Sequence, residues 1–150
     1  RALEELRAEG KVRSLGVSNF EIHHLEAFFE AVRRDLGGPA NVTANQVRWN
    51  LDHHDDALHA WCQAHHVTLE SYSPLGGRGG VAAQLARPAV ASIAEARRVK
   101  PAQVIFRWVL QRGIVLVSGS TDPGHMAEDL DPLFAFELTE AEMGSLDGYR

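Results

Sequence analysis

The sequence predicts a parallel α/β fold. Three observations carry that prediction. Short apolar runs end in small polar residues, amphipathic stretches at helical spacing follow them, and glycine or proline marks the changes of pattern. Apolar strands alternating with amphipathic helices are the pattern of a parallel sheet buried on both faces. The clearest joint is Leu15-Gly16-Val17-Ser18-Asn19-Phe20. Leu15 and Val17 favour a strand, and Gly16 lets another backbone come close. Ser18 and Asn19 stand where the apolar run stops, with Asn19 suited to cap a helix. Ligands of parallel α/β folds are held at this edge, where strands hand over to helices.

Taken in order, residues 2–9 read as a helix with Leu3 and Leu6 inward and Gly10 as its stop. Ser14–Ser18 is the first strand, and Phe20–Arg34 its helix, with Ile22, Leu25, Phe28, Phe29 and Val32 on one face. Leu36-Gly37-Gly38-Pro39 is a loop. Residues 41–49 hold a second strand centred on Gln46-Val47-Arg48-Trp49. Asp55 and Asp56 favour the positive end of a helix that runs to about His65. Its buried stripe is Leu58, Trp61 and Cys62. Val67–Tyr72 is the third strand, and Ser73–Gly80, with one proline and four glycines, a long loop. Two helical pieces follow, Ala89–Val99 and a segment from Pro101 to Gly113. Ile114–Ser118 is the fourth strand. Asp122-Pro123 opens another helix, and Thr139 with Glu142 forms the capping box of a last one.

Four parallel strands with helices on one side result, without the G-x-G-x-x-G that a Rossmann domain carries after its first strand. Four strand–helix units make half of an eight-stranded barrel, which typically needs ~250 residues. The 150 residues suffice for a single domain with a real core. The opening Arg1-Ala2-Leu3-Glu4 looks like the inside of a helix, so we expect a piece of a longer protein. A net charge of −5 argues against nucleic acid as a partner. No apolar run approaches the ~20 residues of a membrane span. Cys62 is the single cysteine, which points to a reducing, cytoplasmic setting. Beside Trp61 on an apolar stripe, it reads as core.

The ends of the strands carry amides, hydroxyls, one aromatic ring and bare backbone, with few charges. Such a set suits a planar ligand that bears amide and phosphate groups. Six of the eight histidines form the pairs His23-His24, His53-His54 and His65-His66. Neighbouring helical residues point apart, so we expect solvated faces and no metal site. Glu70 and Arg48 share strand parity with Tyr72 and Gln46 and are expected to pair with each other.

Four segments in register then resemble the carboxy-terminal half of an aldo-keto reductase. They are Gly16-Val17-Ser18-Asn19-Phe20, Asn45-Gln46-Val47, Tyr72-Ser73-Pro74-Leu75-Gly76, and Pro101-Ala102-Gln103-Val104 with Arg107-Trp108. The resemblance implies a TIM (β/α)8 barrel that reduces aldehydes and ketones with NADP(H) across its strand ends. By that likeness Ser18, Asn19 and Gln46 bind the nicotinamide carboxamide, and Tyr72 stacks on the nicotinamide ring. Ser73, Leu75 and Gly76 line the pyrophosphate, while Gly119, Ser120, His125 and Asp129 face the adenosine side, with Ser120 and the helix start after Asp122 holding its phosphate. Family members often place Lys at Gly119, Arg at His125 and Asn at Asp129. Two cations are thus missing and one anion added, which leaves NAD(H) open beside the favoured NADP(H).

The family's catalytic Asp, Tyr, Lys and His come from the other half of the barrel. Here the lysines are Lys11 and Lys100 and the tyrosines Tyr72 and Tyr149, none in a matching motif. The chain alone is therefore expected to be inactive and to self-associate through its open barrel edges. The alternative is a half-barrel that binds a nucleotide or a partner without turnover.

Overall fold

A computed structural model describes residues 2–38 and 42–149. The expected loop residue Pro39 and the first residue of the expected second strand, Asn41, lie outside the described residues. The elements run α1 (Ala2–Ala8), β1 (Leu15–Ser18), α2 (Ile22–Leu36), β2 (Val42–Arg48), α3 (Asp56–Ala64), β3 (Thr68–Tyr72), α4 (Val81–Leu85), α5 (Pro88–Arg97), α6 (Pro101–Gln111), β4 (Val115–Val117), α7 (Pro123–Glu128), α8 (Asp131–Phe134) and α9 (Glu140–Asp147). The four strands are parallel and hydrogen-bonded in the order β1-β2-β3-β4, with flanking helices.

Two compact units make up the chain: Arg1–Val47 with Asp55–Glu70, and Arg48–His54 with Ser71–Arg150. In the first unit Leu15 lies opposite Val42, but Gly16 lies opposite Ala44 and Ser18 opposite Gln46. Thr43 is the extra residue, and its hydroxyl donates to the Leu15 carbonyl at 3.0 Å. A Cβ on Gly16 would meet the Ala44 carbonyl oxygen at 3.3 Å, so glycine permits the close strand contact that the sequence suggested. Beyond the bulge, Asn45 and Val47 are buried while Gln46 is half-buried and Arg48 exposed. The core of this unit is Leu25, Val42, Val47, Leu58, Cys62, Val67 and Leu69.

The second unit is built on α6, whose Val104, Ile105, Phe106, Trp108 and Val109 are buried with Val90 and Ile93 of α5. Trp49 and Trp108 stack with ring centroids 6.4 Å apart. Trp108 Nε1 donates to Asp147 Oδ1 at 2.6 Å, and Arg112 lies over the Trp108 ring at 5.1 Å. Arg97 at the end of α5 forms a two-pronged pair with Glu142 of α9, at 2.9 and 2.6 Å.

Several expectations are corrected. The strands are not buried on both faces. Gly16 and Ser18 of β1 are exposed, and Val115 and Val117 of β4 are 45% and 38% exposed. Helix α2 begins at Ile22 with Glu21 as its N-cap, not Asn19. The last crossover holds three helices, because Val81–Leu85 forms a short one capped by Gly80. A further short helix, Asp131–Phe134, also escaped the periodicity. Leu3 and Phe28 are exposed where both were expected inward.

Candidate functional site

In the first unit the end of β1 is held by hydrogen bonds to β2. Ser18 Oγ donates to the Gln46 carbonyl at 3.0 Å, and the Asn19 N–H donates to the same oxygen at 2.9 Å. Asn19 has φ 57°, a left-handed conformation that asparagine tolerates better than most residues. Its Nδ2 donates to Ser18 Oγ at 3.2 Å. The turn is pinned from below by Asn45, which is fully buried. Asn45 Nδ2 donates to the Phe20 carbonyl at 2.8 Å, and its Oδ1 accepts the Phe20 N–H at 3.3 Å. Gln46 stands one residue along β2, on the opposite face. Its Nε2 donates to Glu70 Oε2 at 2.8 Å, which fixes the amide with Oε1 as its remaining acceptor. Gly16, Ser18, Ala44, Gln46, Thr68 and Glu70 share strand parity and line an open cavity of about 730 Å³.

Hydrogen bonds thus join Ser18 and Asn19 to the Gln46 main chain, and Gln46 lies inside β2 rather than at its end. The expected pairing of Glu70 with Arg48 is replaced: Glu70 holds Gln46, and Arg48 Nη2 donates to the Gly76 carbonyl at 3.3 Å. Asn45 is not among the site residues expected from the sequence, although the sequence carries a signal for it. An asparagine at a buried strand position must find buried partners.

In the second unit β3 ends at Tyr72, whose carbonyl accepts the Trp49 N–H at 3.3 Å. Ser73 follows with φ 51°, and its carbonyl accepts from Asn50 Nδ2 at 3.2 Å and the Gly76 N–H at 2.9 Å. Gly76 has φ 90°, and a Cβ there would press on Gln84 Cγ at 3.0 Å. A Cβ on Gly80 would strike the Gly76 carbonyl oxygen at 2.8 Å. The Ser73–Gly80 loop is therefore a tight coil that only glycine can form at these two places.

A cavity of about 300 Å³ lies in the same unit, walled by Leu75 and Phe106 and edged by Gly119, Ser120, His125 and Asp129. Its volume is at the lower end for small-molecule pockets. Asp129 accepts from Ser118 Oγ at 3.4 Å, and burial pushes its carboxyl above the usual range. Lys100 also lies on the cavity, 3.7 Å from Glu128. The helix start after Asp122 is occupied by Asp122 itself, which accepts the Gly124 and His125 N–H groups at 2.7 and 3.2 Å. Those hydrogen bonds, the one from His125 N–H foremost, hold the Asp122 carboxyl below its ordinary range. A phosphate expected at these amides would have to displace it. Ser120 Oγ accepts the Asp122 N–H at 3.0 Å.

The histidine pairs are less uniform than solvated faces. His54 packs against Trp49 and Trp108 at 5.7 and 5.5 Å, both ring nitrogens buried without a hydrogen-bond partner among the described residues. His65 stacks on Trp61 at 3.7 Å. His23 and His24 do not point apart: their centroids are 3.8 Å from each other. Cys62 is fully buried, and burial pushes its thiol up to about 11 despite a hydrogen bond with Asn45. Such a thiol is inert.

A sequence model of the Aldo/keto reductase family matches residues 1–150. The 9,11-endoperoxide prostaglandin H2 reductase of Trypanosoma cruzi (strain CL Brener) is 37% identical over 147 residues, covering 98% of this chain and 49% of the relative. The methylglyoxal reductase DkgA of Escherichia coli (strain K12) is 35% identical over 144 residues, covering 95% and 48%. Among solved structures, a mutant of Gox0644 in complex with NADPH superposes with a TM-score of 0.84 at 37% identity, over 97% of this chain and 50% of that one. The chain spans about half the length of the curated relatives it matches.

Proposed function

The chain belongs to the aldo/keto reductase family, and from that premise we propose that it supplies the cofactor-holding half of an oxidoreductase that uses NADP(H) to reduce aldehydes and ketones to alcohols. The observation that carries the reading is the polar strand end of the first unit. There Ser18, Gln46 and a left-handed Asn19 are locked together by hydrogen bonds to main chain and to Glu70. A carboxamide is the ligand group that matches two carboxamides and a hydroxyl. In this reading Ser18, Asn19 and Gln46 orient the nicotinamide amide, with Gln46 Oε1 accepting from its NH2. Tyr72 offers its ring to the nicotinamide plane. Ser73, Leu75 and the close-packed Gly76 coil approach the pyrophosphate, and the cavity edged by Gly119, Ser120, His125 and Asp129 takes the adenosine side. Bound NADPH supplies the hydride.

The protonating acid for the carbonyl oxygen lies outside residues 1–150. Tyr72 is assigned to the ring, and Tyr149 lies under Arg87 at 4.8 Å with its hydroxyl on the Ala89 N–H at 3.2 Å. The preference for NADP over NAD is modest, since Glu128 and Asp129 place two carboxylates at a cavity whose cations are Lys100 and, when protonated, His125. Small carbonyl compounds are the proposed substrates. No helix among the described residues is long and apolar enough to cross a membrane. The single cysteine, Cys62, supports a reducing compartment, and the cytoplasm is the proposed location.

The test uses full-length protein and NADPH fluorescence titration. Gln46→Ala and Asn19→Ala are each expected to weaken binding by ~1–3 kcal/mol, the penalty for an unpaired polar group. Unchanged affinity in both removes them from the site. A separate preparation of residues 1–150 should give no NADPH oxidation with a panel of aldehydes. Clear turnover by that preparation would refute the placement of the acid elsewhere, and NADPH binding without turnover by the full-length protein would favour the non-catalytic alternative.

A further inference from the structure

We propose that Glu21, His23 and His24, at the start of α2, form a surface binding site for a divalent transition metal ion of the zinc type. Glu21 is extended, with φ −83° and ψ 170°, and forms a capping box with His24. The Glu21 side chain accepts the His24 backbone N–H, and His24 Nδ1 accepts the Glu21 N–H at 3.2 Å. That reciprocal pair holds a carboxylate and an imidazole on the same side of the first turn.

His23 then folds over them. Its ring lies 3.8 Å from that of His24, inclined by 41°, and its Nδ1 is 3.4 Å from Glu21 Oε2. One ligating atom from each of the three residues falls within 4.8 Å of the others, and all three side chains are exposed. No other group of three or more His, Cys, Asp or Glu residues converges in this way among the described residues.

The donor set selects the class of ion. Two imidazoles and one carboxylate suit zinc, nickel, cobalt or copper, whereas magnesium and calcium take oxygen ligands. Zinc–nitrogen bonds are ~2.0–2.1 Å, which in a tetrahedron sets donors roughly 3.3 Å apart, so the exposed side chains must close in from separations of up to 4.8 Å, with water completing the shell on the solvent side. The positive end of α2 opposes a cation there, and the Glu21 carboxylate offsets it. His24 must release the Glu21 N–H if Nδ1 is the ligating atom, so the metal and the helix cap compete for one lone pair. The site is therefore weaker than a buried structural one.

Isothermal titration of the tag-free full-length protein with Zn²⁺, together with the visible spectrum of a Co²⁺ titration, tests this. One equivalent should bind, with a cobalt spectrum that Zn²⁺ abolishes. His23→Ala leaves the capping box intact and should weaken binding at least tenfold. His24→Gln keeps a capping side chain and should do the same, with unchanged far-UV circular dichroism as the check on folding. Glu21→Gln, which retains an acceptor for the cap, should weaken binding by a smaller factor. Retained Zn²⁺ affinity in His23→Ala, or a cobalt spectrum unaltered in His24→Gln, would overturn the proposal and assign the ion to another histidine.

Discussion

Replacing Asn45 is the most direct way to test how the polar strand end is built. Its carboxamide is fully buried and spans the N–H and the carbonyl of Phe20, at 3.3 and 2.8 Å. Asn45→Ala removes both partners at once. Each orphaned main-chain group costs ~1–3 kcal/mol when buried. Phe20 is half-buried, so the low end applies, about 1–1.5 kcal/mol for each group. The lost side-chain volume adds roughly 0.5 kcal/mol. The sum is about 3 kcal/mol, equivalent to a fall of ~6–12 °C in melting temperature for a domain of about 150–250 residues and less in a longer chain. Asn45→Leu separates the two terms, because it fills the space and still strands Phe20. It should lose ~2 kcal/mol or more. Urea unfolding followed by tryptophan fluorescence measures both variants in full-length protein. The same turn carries Asn19 at φ 57°, so NADPH affinity should fall at least tenfold in either variant. An Asn45→Leu protein within ~0.5 kcal/mol of the unsubstituted one, or with normal NADPH affinity, would refute the reasoning.

The Arg97 guanidinium beside Glu142, helped by Thr139, holds that carboxyl at about 2 in the folded protein, against an ordinary 4.5. A depressed folded value gives stability that is present above pH ~4.5 and lost as pH falls toward ~2. Side-chain exposures of 32% and 19% let solvent screen the pair, so Glu142→Gln should lose ~1–2 kcal/mol at pH 7, with the difference shrinking as pH falls through about 2 and vanishing below it. A pH-independent difference in urea melts would contradict this. Cys62, with its thiol pushed up to about 11, should resist Ellman's reagent until the protein unfolds; rapid labelling of folded protein would show that it is not core. Gly119→Lys should fit, because a Cβ there meets nothing within 4 Å. It should raise NADP affinity relative to NAD about tenfold, ~1.4 kcal/mol, and an unchanged ratio would remove position 119 from the phosphate's surroundings.

Periodicity and punctuation determined the order and kind of nearly every element, because helical and strand spacing are properties of residues close together in the chain. Ser18, Asn19, Tyr72 and Ser73 could be placed at strand ends on that basis alone. What only the tertiary structure decided involves partners far along the chain. The Thr43 bulge sets the register of β2, and that register, not composition, turns Gln46 to the face of Ser18 and Asn45 into the core. By sequence alone Asn19 suits a cap, because it precedes an apolar stripe. Its N–H is taken by Gln46, 27 residues away, and the cap passes to Glu21. Leu3 and Phe28 show the same limit from the other side. A pattern tells which face of a helix is apolar; whether anything covers that face depends on what the rest of the chain brings to it.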